Sequence, residues 1–135
     1  MSQYAVDSNI ISFIMRGDRH LQNRVYREAD EGEGVIIPPI TYYEVKRGLI
    51  DCNSKIKLDA FKRLCDKLGV DDMDMETLDT AADIYVKLKQ AGCPIGDSDV
   101  LIAATCLTSD YTLITDNTRH FERVEGLQLV NWIER

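Results

Sequence analysis

Apolar residues in this chain fall into two patterns: short unbroken runs, and longer stretches in which they recur every three or four positions. Tyr4-Ala5-Val6 has the first character and predicts a strand, and Asp7-Ser8-Asn9 turns it into a helical stretch ending near Gly17. Asp18 is placed to cap a second helix, in which Leu21, Val25 and Ala29 recur until Gly32 and Gly34 stop it. Val35-Ile36-Ile37, closed by Pro38-Pro39, is a continuous apolar triplet of the kind needed by a parallel strand covered on both faces. A helix is expected from about Thr41 to Leu49. The clearest amphipathic helix lies between Asn53 and Gly69, where Leu58, Phe61, Cys65 and Leu68 share a face and Gly69 can end it in a left-handed conformation. Leu78, Ala81, Ala82, Tyr85 and Leu88 predict a further helical face up to Gly92, and Asp99, Ile102, Ala103 and Cys106 another. Tyr111–Thr115 and Leu127–Val130 read as strands.

Strands alternating with helices, without internal repeats or a long Pro/Gly/Ser linker, predict a three-layer α/β/α domain with a mostly parallel central sheet. A length of 135 residues fits a single domain spanning 1–135. Sheets of this type bind ligands at the carboxyl ends of their strands, and in a doubly wound order the first and fourth strands are expected at the centre. An apolar content of 44% with 29% charged residues argues against disorder and low-complexity scaffolds. The net charge of −7 disfavours non-specific attraction to polyanions or anionic lipid, so any work on nucleic acid must use local charge or a metal. Cys52, Cys65, Cys93 and Cys106 form no C-x-x-C pair and no readable zinc site. Cys65 and Cys106 fall on apolar helical faces and are expected as buried thiols, which suits a reducing cytosol. Near the amino end the longest apolar stretch, Ile10–Met15 broken by Ser12, is too short for a signal peptide or membrane span. A cytoplasmic protein with no membrane association is therefore expected.

An α/β architecture of this kind directs attention to acids just after strands or at helix starts, and Asp7, Glu44 and Asp99 qualify. If they converge on one crevice, three ionised carboxylates about 4 Å apart would repel by several kcal/mol per pair, so the cluster must take up protons or a cation. Hard oxygen donors suit Mg²⁺, with Mn²⁺ as the alternative. Each acid also has an ordinary reading. Thr41 and Glu44 have capping-box spacing, Asp99 lies in the first turn of a helix, and Asp7 fits a turn. Asp97 is about 200° around the helix from Asp99, which makes it a cap or a supporting group rather than a co-ligand. The run Asp71-Asp72-Met73-Asp74-Met75-Glu76 lacks the glycine and distal glutamate of a calcium loop and is expected as a solvated acidic edge. His20 and His120 have no partner at metal-ligand spacing, and no nucleophile elbow or phosphate-binding loop is present.

Four ordered segments, Val6-Asp7-Ser8-Asn9-Ile10-Ile11, Ile40–Leu49, Pro94–Ala104 and Leu113–Phe121, together resemble the PIN-domain ribonucleases, specifically the VapC toxins of toxin–antitoxin pairs. The resemblance implies an acidic triad at Asp7, Glu44 and Asp99, with Asn9 steadying the first turn. Members usually read Asp-Thr-Asn where this chain has Asp7-Ser8-Asn9, and the fourth acidic position of some relatives is the neutral Asn117. One tightly held Mg²⁺ on Asp7 and Asp99 follows, with Glu44 orienting a water or the metal shell. The resemblance further implies hydrolysis of RNA phosphodiesters, inhibition by a cognate antitoxin, and a homodimer. Arg16, Lys46, Arg47, Arg119 and Arg123 are candidates to hold flanking phosphates, and Tyr42 and Tyr43 to stack on bases or to pack in the core or at a dimer contact. Two other readings stay open: a PIN protein of RNA processing, or a degenerate one, and a Mg²⁺-binding receiver-like signalling module. The latter would need adjacent acids after the first strand and a lysine in Tyr111–Phe121, where this chain has neither.

Overall fold

A computed structural model describes residues 3–135. Strand β1 (Gln3–Val6) leads into α1 (Ser8–Met15) and α2 (Arg19–Glu31), followed by β2 (Val35–Ile36), α3 (Pro39–Asp51), α4 (Lys55–Leu68), α5 (Met75–Gln90) and α6 (Asp97–Ser109). Strand β3 (Tyr111–Ile114), the short α7 (Thr118–Phe121) and β4 (Leu129–Val130) complete the order. The four strands form one sheet, β2-β1-β3-β4, in which every pairing is parallel. Strands β1 and β3, not the first and fourth, are central. Only one strand lies on the β2 side of β1, so the strand that crosses to the other side is the third in sequence.

The pleat divides the core in two. Val6 and Ile114 face one layer, filled by Ile10, Ile14, Leu21, Val25, Phe61 and Leu64. Ala5 and Leu113, one residue earlier in each strand, face the other layer, filled from α5, α6 and α7. Each fully buried aliphatic or aromatic side chain contributes about 1.5–3 kcal/mol, so both layers are needed. Trp132, beyond β4, closes the first layer against Tyr4 at a centroid distance of 4.8 Å.

Local chemistry explains most boundaries. Asp18 Oδ1 accepts the Leu21 amide at 3.0 Å and starts α2 as expected. Gly69 ends α4 at φ +88°, where a side chain would be strained. The helix expected from Thr41 begins two residues earlier, because Pro39 occupies the first helical position, where its missing N–H costs nothing. The Thr41–Glu44 capping box does not form: Thr41 is fully buried, and its hydroxyl donates to the Val6 carbonyl at 3.0 Å. That bond fastens α3 to the end of β1.

Three packing expectations are corrected. In α5 the buried positions are Thr77, Ala81, Ile84 and Leu88, while Leu78, Ala82 and Tyr85 are exposed. The two stripes differ by about one residue in phase, and contact with α6 selects the smaller one. Cys106 is buried, whereas Cys65 is only partly so, its burial raising the thiol to about 11. The acidic run is not merely solvated either: Asp71 accepts the Tyr111 hydroxyl at 2.8 Å, and Asp74 caps α5 through the Thr77 amide at 2.9 Å.

Candidate active site

Two adjacent strand ends create the centre of the site. Asp7 follows β1 directly, Thr115 follows β3, and the Asp7 amide continues the ladder by donating to the Ile114 carbonyl at 3.0 Å. Asp7 is 4% exposed. Its Oδ1 accepts the Ser8 amide at 2.8 Å at the start of α1, and its Oδ2 accepts the Thr115 hydroxyl at 2.7 Å. The Thr115 hydroxyl oxygen also accepts the Asn117 amide at 3.0 Å, and Asn9 Oδ1 accepts the Asp116 amide at 3.3 Å. A buried carboxylate is thus supported by a strand, a helix start and the 115–117 loop together.

Glu44 stands on α3 one turn after the Thr41 anchor, and Asp99 in the first turn of α6, where the helix dipole favours an anion. Burial pushes the Asp7 carboxyl above its ordinary value. The Thr115 and Ser8 hydrogen bonds oppose that shift, and the Asp99 charge adds to it. Burial also raises Glu44, with Asp7 and then Asp99 adding to the shift, and the Ser8 hydroxyl and Arg47 partly offsetting it. The three acids predicted from sequence therefore share one electrostatic neighbourhood. As they stand, no three Asp, Glu, His or Cys side chains among the described residues close around a single point. Asp99 Oδ2 lies 2.8 Å from His120 Nε2.

The donor set nevertheless fits a hard divalent cation. Glu44 Oε1 is buried and has no hydrogen-bond partner among the described residues. A buried carboxylate oxygen left unsatisfied costs about 1–3 kcal/mol or more, and a cation would remove that penalty while relieving the mutual repulsion of the acids.

The supporting residues separate clearly. Asn9, expected to steady the first turn, instead braces the loop after β3 by accepting the Asp116 amide. Asn117 is exposed and contributes its backbone amide to Thr115. Asp97 is no cap: Gly96 holds that position, there is no side-chain capping bond, and Asp97 is exposed. Asp116 is drawn to Arg135 at 2.7 Å and Asn131 at 3.0 Å, contacts that hold its carboxyl below the usual range. Sequence reading missed Thr115 and His120. Thr115 had a usable signal, a polar residue directly after a central strand, as with Asp7. His120 lies in the fourth of the resembling segments, but its contact with Asp99, 21 positions earlier, exists only in the tertiary structure.

A groove of about 680 Å³ runs from Ser8, Asn9 and Glu44 between α1 and α3, with Arg16, Arg47 and Lys57 on its walls. Of the basic residues singled out from sequence, Arg16 and Arg47 line it. Lys46 lies over the Tyr42 ring, and Arg123 instead donates to the Pro94 carbonyl at 3.1 Å on another face of the protein. Tyr42 stacks on Phe61 with a centroid separation of 5.5 Å, whereas Tyr43 is 55% exposed beneath Arg47.

The raised carboxyls carry a stability prediction with a definite sign. A group whose folded pKa lies above its unfolded one binds more protons in the folded state. Its contribution is complete below the unfolded value, near 4.5 for Glu44, and is lost as pH rises through the folded value. Without divalent cations, Glu44→Gln is expected to melt with wild type at pH 4. At pH 8 it should melt about 3 °C higher, corresponding to about 1 kcal/mol from the relieved burial of a charge, together with relieved repulsion from Asp7 and Asp99. Paired thermal melts at the two pH values check this, and a variant less stable than wild type at pH 8 contradicts it.

A PIN domain model matches residues 4–127, and the chain belongs to the PIN-domain family. Its place within that family follows from its relatives. It is 34% identical to Ribonuclease VapC1 of Methanocaldococcus jannaschii over 103 residues, 76% of this chain and 74% of that protein, which sets it among the VapC proteins. Over 133 residues it is 26% identical to the tRNA(fMet)-specific endonuclease VapC of Shigella flexneri, covering 98% and 99% of the two chains. The VapBC-1 structure from nontypeable Haemophilus influenzae aligns with a TM-score of 0.82 at 25% identity, covering 98% and 99%. DNA-bound VapBC from Salmonella typhimurium shares the fold with a TM-score of 0.87 at 24% identity, covering 98% and 100%. No helix among the described residues is long and apolar enough to cross a membrane.

Proposed function

We propose that this protein is a divalent-metal-dependent endoribonuclease, the toxin of a toxin–antitoxin pair. The observation that carries the reading is a buried Asp7 at the carboxyl end of β1, held by Thr115 from the end of β3, beside α3, which Thr41 fastens to the same strand end and which carries the buried Glu44 Oε1; the Asp99 charge bears on both acids. Ribonucleases and endonucleases among the VapC relatives support the reaction class. Asp7 and Asp99 would hold Mg²⁺, with Mn²⁺ able to replace it. Such an ion, when bound, stabilises charge on a phosphate oxygen and makes a water a stronger nucleophile at neutral pH.

The side chains supply the rest. Thr115 and the Ser8 amide hold Asp7 in one orientation, so the site is organised before substrate arrives. Glu44, its carboxyl raised and one oxygen without a partner among the described residues, orients the attacking water and accepts its proton. Arg16, Arg47 and Lys57 contact flanking phosphates along the groove, which local positive charge permits despite the net charge of −7. The VapBC assemblies of related proteins support a cognate antitoxin as the inhibitor of this chain. The exposed apolar stripe of Leu78, Tyr85 and Val86 on α5 supports a homodimer.

Purified protein is expected to cleave single-stranded RNA with Mg²⁺ and to lose at least about 10³-fold of its rate in EDTA, a barrier change of about 4 kcal/mol. Restoring Mg²⁺ should recover the rate. Equal cleavage with and without chelator refutes the metal-dependent mechanism.

A further inference from the structure

We propose that His120 is a positioning residue for Asp99, holding that carboxylate for the divalent ion by a hydrogen bond from its imidazole. The proposal rests on the metal reading above and concerns a side chain outside the acidic triad. His120 Nε2 lies 2.8 Å from Asp99 Oδ2, and both side chains are about three-quarters buried, at 26% and 28% exposure. Asp99 stands on α6 and His120 on α7, 21 positions later, so the contact is tertiary and not a by-product of helix spacing.

The imidazole is itself fixed. The next residue, Phe121, is fully buried, and its ring meets the His120 ring edge-on at 5.9 Å. Anchored in this way, α7 aims the histidine at α6 rather than leaving it free to rotate. The contrast with the other histidine is instructive: His20 meets Glu134 at 3.0 Å, but both side chains are more than half exposed, so that pair orders little.

A carboxylate has two oxygens and about four lone-pair sites, so one donated hydrogen bond to Oδ2 leaves ample capacity for an ion while removing rotamers that point elsewhere. Asp7 receives the same treatment from Thr115, and a donor on each metal-binding carboxylate is what a preorganised site needs. Loss of such an outer partner typically lowers metal affinity 10- to 100-fold.

The test uses full-length protein and Mn²⁺ alone, with free ion measured by electron paramagnetic resonance and thermal melts recorded in parallel. His120→Ala is expected to weaken Mn²⁺ binding about 10-fold or more with little change in the metal-free melting temperature. His120→Gln, whose amide can donate from a place close to that of Nε2, should return to within about 3-fold of wild type. Unchanged or tighter Mn²⁺ binding by His120→Ala overturns the proposal, the latter by showing that the imidazole competes with the ion. Failure of His120→Gln to recover also counts against it. If wild type binds no Mn²⁺, or Asp7→Asn and Asp99→Asn bind it as wild type does, the metal reading itself fails. Wild-type binding that depends on those acids but not on His120 overturns this inference alone.

Discussion

Asp7→Asn is expected to reduce RNA cleavage by at least about 10³-fold, roughly 4 kcal/mol of transition-state stabilisation, without reducing metal-free stability. The substitution is nearly isosteric, and its side-chain oxygen can still accept the Ser8 amide that Asp7 Oδ1 accepts at 2.8 Å. Its amide nitrogen would face Thr115, whose hydroxyl now donates at 2.7 Å and can reorient to accept. What the variant loses is the negative charge, and in the absence of metal that charge is a burden: the residue is 4% exposed and its carboxyl is raised by burial. Activity and stability should therefore move apart, with cleavage collapsing while the melting temperature holds or rises. RNA cleavage by Asp7→Asn within about 3-fold of wild type, at equal protein concentration and saturating Mg²⁺, would remove Asp7 from the chemistry. A fall in melting temperature parallel to the loss of rate would mean that the residue serves the fold instead.

Phe121→Ala should have the largest effect on stability, about 3–5 kcal/mol in urea denaturation, or a fall of about 10–15 °C in melting temperature. Phe121 is 0% exposed and packs in the layer that holds Ala5, Leu113, Ile102 and Val124. Its truncation removes a ring from the wall of that layer, and α7, with only four residues, has too little hydrogen bonding of its own to stay in place. The loss is a large share of the 5–15 kcal/mol typical of a domain. Phe121→Leu, which keeps most of the volume, should lose less than about 1.5–2 kcal/mol. A loss below about 1 kcal/mol for the alanine variant would show that the layer can close without the ring.

Much of the architecture could be read from periodicity because local rules and tertiary packing agree there. β1, α1, α2, α4 and β3 fall where apolar spacing, the Asp18 cap and Gly69 put them, and the layered arrangement follows from strands alternating with helices. Periodicity failed where two apolar stripes compete on one helix. In α5 both the Leu78/Ala82/Tyr85 stripe and the Ala81/Ile84/Leu88 stripe have helical spacing, and only the neighbour, α6, decides which one is covered. Capping rules failed at Thr41 for a similar reason: a buried hydroxyl takes the nearest unsatisfied acceptor, and the Val6 carbonyl, 35 positions away in sequence, was nearer than anything local.

By itself the sequence determined the order and kind of the elements apart from the short α7, singled out three acids as candidates, and, through its four ordered segments, pointed to the family. The tertiary structure alone decided which atoms face one another: Thr115 on Asp7, His120 on Asp99, Arg123 turned away from the groove, and Glu44 with an oxygen that none of the described residues satisfies. The division has a physical cause. Helix and strand formation depends on residues within a turn or two, whereas a hydrogen bond or a shared charge between positions 7 and 115, or 99 and 120, exists only once the sheet and its two helical layers have closed around them.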